Sequence, residues 1–102
     1  MPVAVEFAFA PLSRLARELR TGTFTAVELA TFFLDRLERL GPRCNSVCTL
    51  CRDLALADAR QADADLRAGI DRGPLHGLPL GIKDLLNLPG YPTTWGAPAF
   101  RE

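Results

Sequence analysis

Apolar residues recur with a helical period over the first two-thirds of the chain. Leu12, Leu15, Ala16 and Leu19 fall at i, i+3, i+4 and i+7, which predicts a helix from Pro11 to Arg20 that stops at Gly22. A second helix has a sharper start. Thr25 can cap it, Glu28 stands three residues on to complete a capping box, and Phe24 can staple onto Leu29. Its expected buried face is Ala26, Ala30, Phe33, Leu37 and Leu40, with Asp35 and Arg39 pairing outside and Gly41-Pro42 as its end. A third helix is expected from Asp53 to about Ala68. Ala55, Ala59, Ala62 and Leu66 give it a narrow small-residue stripe suited to close packing, Asp63 and Arg67 can pair, and Gly69 supplies the stop.

Two segments alternate with a period of two instead. Val47–Cys51 predicts a short strand, and so does Leu78–Asp84, where Leu78, Leu80 and Ile82 face one way and Pro79, Gly81 and Lys83 the other. Pro79 cannot donate to a ladder and belongs at a strand start or an edge. Asp71–Gly77 reads as a loop, and from Asn87 onward prolines and glycines predict an irregular tail. The order is helix, helix, strand, helix, strand, loop, so the expected class is α/β, cut off early because two short strands cannot hold a sheet alone.

Composition narrows the partners. The chain has 102 residues, 48% of them hydrophobic, which is too apolar for a disordered chain. Twelve basic and twelve acidic residues cancel, so there is no electrostatic footprint for nucleic acid or a charged membrane surface. No run reaches the roughly 18 apolar residues of a membrane span. Met1–Leu12 is apolar but contains Glu6 and lacks a positive flank, so it makes a poor secretory signal. Three cysteines do not predict a disulfide scaffold, and a reducing, cytoplasmic setting is expected. Basic residues comprise eleven arginines and one lysine, Lys83. Arginine cannot accept a proton near neutral pH and lysine can, which singles that position out.

The residues around Lys83 carry a resemblance. Gly73-Pro74-Leu75-His76-Gly77-Leu78-Pro79-Leu80-Gly81-Ile82-Lys83-Asp84 strongly resembles the lysine segment of the amidase-signature family. Upstream, Thr25-Ala26-Val27-Glu28-Leu29 and Asn45 through Asp65 are similar to that family's early helix and its strand with an alanine-rich helix. Downstream, Gly90-Tyr91-Pro92-Thr93-Thr94-Trp95-Gly96 looks like its Gly-x-x-Thr-Thr-x-Gly turn. The likeness covers about residues 12–100, leaving 1–11 as a lead-in, so residues 1–102 are read as a partial amidase domain. It implies a mixed sheet flanked by helices. It also implies hydrolysis of a small-molecule amide by a Ser–Ser–Lys triad without metal or organic cofactor, as in general amidases, or ammonia release in the A subunit of a glutamine-dependent tRNA amidotransferase. Lys83 is then the catalytic base, held on a rigid strand; an amine lying out in bulk water, away from any concave surface where a downstream segment can dock, would count against the assignment. The only serines, Ser13 and Ser46, lie upstream of Lys83 and outside any glycine-rich loop. The chain alone is therefore expected to be inactive, a truncated or split piece that needs a missing C-terminal segment or partner chain.

Other residues compete for attention. Cys44, Cys48 and Cys51 have the C-x3-C-x2-C spacing that can hold a [4Fe–4S] cluster, which makes an iron–sulfur protein the weak rival. His76 is a lone histidine in a loop and fits a backbone hydrogen bond better than a metal site. Asp84 fits a structural helper, and Trp95 and Phe100 fit packing of the tail. A piece of this kind should show a weak, poorly cooperative thermal transition by circular dichroism, because the Lys83 segment exposes backbone edge and apolar side chains. A sharp two-state melt of a monomer would count against it.

Overall fold

The computed structural model describes residues 3–100, the side chain of Phe100 excepted. A short 3-10 helix, Val5–Phe9, leads into α1 (Leu12–Thr21), α2 (Ala26–Cys44) and α3 (Arg52–Arg67); a last 3-10 turn spans Pro98–Phe100. All three helices begin within a residue or two of their expected starts.

The core is built from the apolar stripes. Phe7, Leu15, Leu19, Phe24, Ala26, Leu29, Ala30, Ala59 and Ala62 form one buried cluster, with Phe33, Leu56, Leu66 and Leu78 packed on it. Phe7 meets Phe24 edge to face at 5.3 Å between ring centroids, and the Arg14 guanidinium lies 4.7 Å over the Phe7 ring. The α3 stripe behaves as its small residues imply, letting α3 lie close against α2. The two helices are antiparallel: Arg52, at the start of α3, bonds Asp35 (3.1 Å) and Glu38 (2.7 Å) far along α2, while Asp63 reaches the start of α2.

Every backbone donor at that start is accounted for. Thr25 N–H donates to Glu28 Oε1 and Glu28 N–H to Thr25 Oγ1, each at 3.0 Å, the reciprocal capping box the sequence predicts. Between them, Ala26 and Val27 donate to the two Asp63 carboxylate oxygens at 2.7 and 3.1 Å. Asp63 thus closes a neighbouring helix instead of pairing with Arg67. A carboxylate there answers both the unmet amides and the positive end of the α2 dipole.

The buried face and the end of α2 differ from expectation. Leu29 and Leu34 are buried and Phe33 packs partly, but Leu37 is exposed and Leu40 is half-buried. Asp35 is taken by Arg52 rather than Arg39. The helix passes through Pro42 to Cys44 and stops at Asn45, which adopts φ 51°. Proline's fixed φ is helical and its missing N–H costs one bond, so the helix can run on past it. Gly41 serves a different purpose from a stop: a Cβ there would stand 2.7 Å from Val47 Cγ2, so the returning connection requires its bare backbone.

The expected mixed sheet is absent: among the described residues there is no strand. Val47–Cys51 forms the irregular α2–α3 connection, and Leu78–Asp84 runs as an unpaired irregular segment. A ladder needs a partner, and neither segment finds one; Pro79 and Gly81 further weaken the second. The described part is a small helical unit with a long irregular tail. Its accessible surface is 7268 Å², against about 5,700 Å² for a closed globule of this mass.

The α2 start gives a direct test. Asp63→Ala should lower stability by about 1–2 kcal/mol, read from the urea midpoint of the helical signal. Asp53→Ala, on the exposed first turn of the same helix, should stay within about 0.5 kcal/mol.

Candidate functional site

Lys83 belongs to a segment pinned at both ends and free between them. Before it, polar clusters hold the loop 71–77. The Arg20 guanidinium forks onto Asp71, Nε to Oδ2 at 2.8 Å and Nη2 to Oδ1 at 2.9 Å, and Nη2 also donates to Gly73 O at 2.8 Å. Those Arg20 hydrogen bonds, followed by the Gly73 amide, hold the Asp71 carboxyl well below the usual carboxylate range. Buried Asp65 accepts from Gln61 (2.9 Å) and from Arg72 Nε (3.2 Å). Its carboxyl is lowered first by the Gln61 bond, against an opposing desolvation, and then by Arg72.

His76 lies between these groups. Its Nδ1 accepts from Arg72 N–H at 3.1 Å and its Nε2 faces Asp65 Oδ2 at 3.6 Å, which makes it the backbone-bonded loop residue that the sequence favours over a metal ligand. Gly77 follows with φ +89°, and a Cβ on it would come 2.5 Å from Leu19 Cδ2. The loop therefore crosses α1 where only glycine fits, and Leu78 then packs onto the core.

From there the chain leaves the body. Pro79 to Lys83 is exposed throughout, with Leu80 at 82% of its full exposure. The Lys83 ammonium has no hydrogen bond or ion pair among the described residues, and Gly81 has open space where a side chain would be. Lys83 is thus on exposed irregular backbone rather than a strand. The depression formed on α2 by Phe32, Asp35, Arg36 and Arg39 does not include it, so the exposed amine lacks the concave setting expected of it there, which counts against the catalytic assignment. The same part of the chain leaves large apolar side chains in water: Leu75, Leu80, Ile82, Leu85, Leu86 and Trp95 are all exposed. Trp95, expected to pack the tail, stands 65% exposed.

After Lys83 the backbone turns sharply. Lys83 C=O accepts from both Leu85 N–H (2.7 Å) and Leu86 N–H (3.1 Å). Asp84, expected as a structural helper, ties the turn to residue 94: Thr94 N–H donates to Oδ1 at 2.8 Å, the Thr94 hydroxyl donates to Oδ2, and Trp95 N–H donates to the Asp84 carbonyl at 3.2 Å. The Thr94 hydroxyl and then its amide lower the Asp84 carboxyl from its ordinary value. The sequence places both Asp84 and Thr94 within motifs but gives no sign that they bond each other.

The remaining candidates do not converge on Lys83. Ser13 lies in the first turn of α1 and Ser46 in the α2–α3 connection; neither bonds Lys83. Cys44 ends α2, Cys48 sits in the connection and Cys51 precedes α3, all as free thiols. Among the described residues no three His, Cys, Asp or Glu side chains are grouped so as to hold a metal ion, which removes the geometric basis for the cluster. No described helix is long and apolar enough to cross a membrane.

Comparison of the sequence with known proteins identifies relatives. The family model described as Amidase matches residues 28–102. The chain belongs to the amidase family. It is 48% identical over 88 residues to the A subunit of glutamyl-tRNA(Gln) amidotransferase from Azoarcus sp. (strain BH72), covering 86% of this chain and 18% of that protein. A Mycobacterium bovis protein carrying the name amidase AmiD is 41% identical over 91 residues, 89% of this chain and 19% of its own length. The corresponding amidotransferase chain from Synechococcus sp. (strain JA-3-3Ab) is 44% identical over 80 residues, 78% of this chain and 16% of its own. The chain spans less than a fifth of the length of these curated relatives, and no solved structure matches it.

The Asp84 tie has a pH signature. A carboxyl lowered by folding stabilises the folded loop above its unfolded value, ordinarily 3.8, and that contribution is lost as the pH falls through the lower folded value. Protection of the Thr94 amide from exchange should therefore persist on acidification and decline only below pH 3.8. Loss of protection already between about pH 6 and about pH 5, well above the carboxylate range, would show that the tie is not what holds the loop.

Proposed function

We propose that this chain contributes the proton-accepting lysine, Lys83, to the hydrolysis of a carboxylic amide. The nucleophilic and bridging serines come from polypeptide beyond this sequence, continuous with it or separate. The supporting observation is that the chain's single lysine falls within a family-matched segment whose large apolar neighbours lie exposed. Taken alone, an exposed lysine with no partner is an ordinary surface residue. Leu80, Ile82, Leu85 and Leu86 around it are not an ordinary surface, because isolated soluble chains seldom leave so many large apolar side chains together in water.

The chemistry follows from what an amine can do. A neutral amine accepts a proton, passed through a bridging hydroxyl from the attacking hydroxyl; the attacking oxygen adds to the amide carbon, and the proton returns to the leaving nitrogen. Desolvation favours the neutral form of an amine, so a covering segment that buries the exposed apolar residues would also suit the base. In this reading residues 1–102 are part of an amidase domain, and the chain alone has no amidase activity.

The relatives favour a second, narrower reading. Two of the three named above are amidotransferase A subunits. In this version the amide is that of glutamine, cleaved within a larger assembly that uses the ammonia, and the lysine chemistry is unchanged.

The test exchanges the matched segment. The Azoarcus relative, with its matching region replaced by residues 12–100 of this chain, should release ammonia from its amide substrate. Lys83→Arg in that chimera keeps the charge but removes the proton acceptor, and should lower kcat by about 10²–10⁴ with little change in KM. The purified 102-residue chain should release none. Turnover by the chain alone, or full activity with arginine, would overturn the proposal.

A further inference from the structure

We infer that Thr94 is a positioning residue for Lys83, acting through Asp84 to hold the lysine's backbone at the neck of a closed loop. The inference rests on Lys83 being the proton acceptor and concerns what fixes its place.

The Thr94 hydroxyl has no unused capacity. A threonine hydroxyl offers one proton and two acceptor sites. Thr94 gives its proton to Asp84 Oδ2, receives Gly96 N–H at 3.2 Å, and meets Cys48 Sγ at 3.5 Å. With the proton committed to the carboxylate, the thiol must be the donor, and all three positions are filled. Thr94 is also only 3% exposed, in a tail that otherwise lies largely in water.

These bonds join three parts of the chain. Cys48 belongs to the α2–α3 connection, so the hydroxyl attaches the tail to the helical body. Asp84 receives both the amide and the hydroxyl of Thr94, and its carbonyl receives Trp95 N–H at 3.2 Å. Residues 84 and 94 therefore close a loop, and Thr93 Oγ1 braces it further by donating to Leu86 O at 3.3 Å. Lys83 is the residue immediately before that closure, with its carbonyl capped by two loop amides. Since the predicted strand does not form, this tie is the hydrogen-bonded element next to the lysine. A base displaced by about 1 Å can lose on the order of 10²-fold in rate, so such an anchor has a catalytic reason to exist.

Cutting the tie without removing bulk separates this role from simple packing. Thr94→Val keeps the shape and loses the hydroxyl, and with it the bonds to Gly96 N–H, Cys48 Sγ and Asp84 Oδ2, leaving Gly96 and Cys48 only their interaction with the Asp84 carboxylate. Thr94→Ser keeps the hydroxyl and loses only a methyl. The readout is the backbone order parameter of Lys83 in the 102-residue chain, measured by ¹⁵N relaxation, with Leu29 in α2 as the internal reference. The parent and Thr94→Ser should hold Lys83 near the rigid value of about 0.85, and Thr94→Val and Asp84→Ala should drop it below about 0.6 while Leu29 is unchanged. An unchanged Lys83 in Thr94→Val, or a Thr94→Ser as mobile as valine, would overturn the inference.

Should a variant lose the α2 signals altogether, the parent chain answers the same question on acidification. Lys83 order should fall together with protonation of the Asp84 carboxyl. The Cys48 thiol also bonds this tie, through the Thr94 hydroxyl. Persistence of order after Asp84 is protonated would equally sink the idea. Because the readout is mobility and not turnover, its failure is distinguishable from failure of the catalytic proposal.

Discussion

The amides at the start of α2 must find acceptors, and α3 supplies them. Asp63 takes the two that the Thr25–Glu28 capping box leaves open. Two residues further along α3, Asp65 holds the loop through Arg72, with His76 facing it. One turn of one helix therefore fixes both the antiparallel helical pair and the path by which the chain reaches Lys83. The apolar contribution puts Ala26, Leu29 and Ala30 of α2 in one cluster with Ala59 and Ala62 of α3, with Leu56 and Leu66 packed on it, and the polar fasteners add to that.

Beyond Leu78 the balance reverses. The tail puts large apolar side chains into water and its own backbone pairs locally, at the turn after Lys83 and at the Asp84–Thr94 closure. Membership of the amidase family, with relatives of which this chain spans under a fifth, gives that surface a purpose under the proposed function: it is the side on which the rest of an amide-hydrolysing site would assemble. Under that proposal the exposed Lys83 and Leu80 would both be available to a covering segment.

The helices were legible because their signals are local. Leu15 and Leu19 lie on one stripe, and Thr25 with Glu28 forms a capping box whatever else the chain does. What lay beyond reach depends on distant residues. Gly41 resembled a helix stop but makes room for Val47, and Asp63 resembled a partner for Arg67 but closes another helix. A strand is a property of a pair, so the alternation in Leu78–Asp84 records a tendency that this chain cannot satisfy by itself. Lys83 stood out because a family pattern surrounds the chain's only lysine. Its anchoring was not legible, since nothing in the spacing of Cys48, Asp84 and Thr94 says that they meet.

A packed helical body carries Lys83 on a segment that has no ladder partner among the described residues. Residue-resolved amide hydrogen exchange on the monomeric 102-residue chain tests this most directly. Slow exchange at Leu29, Leu34, Ala59 and Ala62, with near-unprotected rates at Leu80 through Lys83, is the predicted pattern. Strong, alternating protection across Leu80 to Lys83 in a monomer would mean that a strand is already paired there, and would contradict the account.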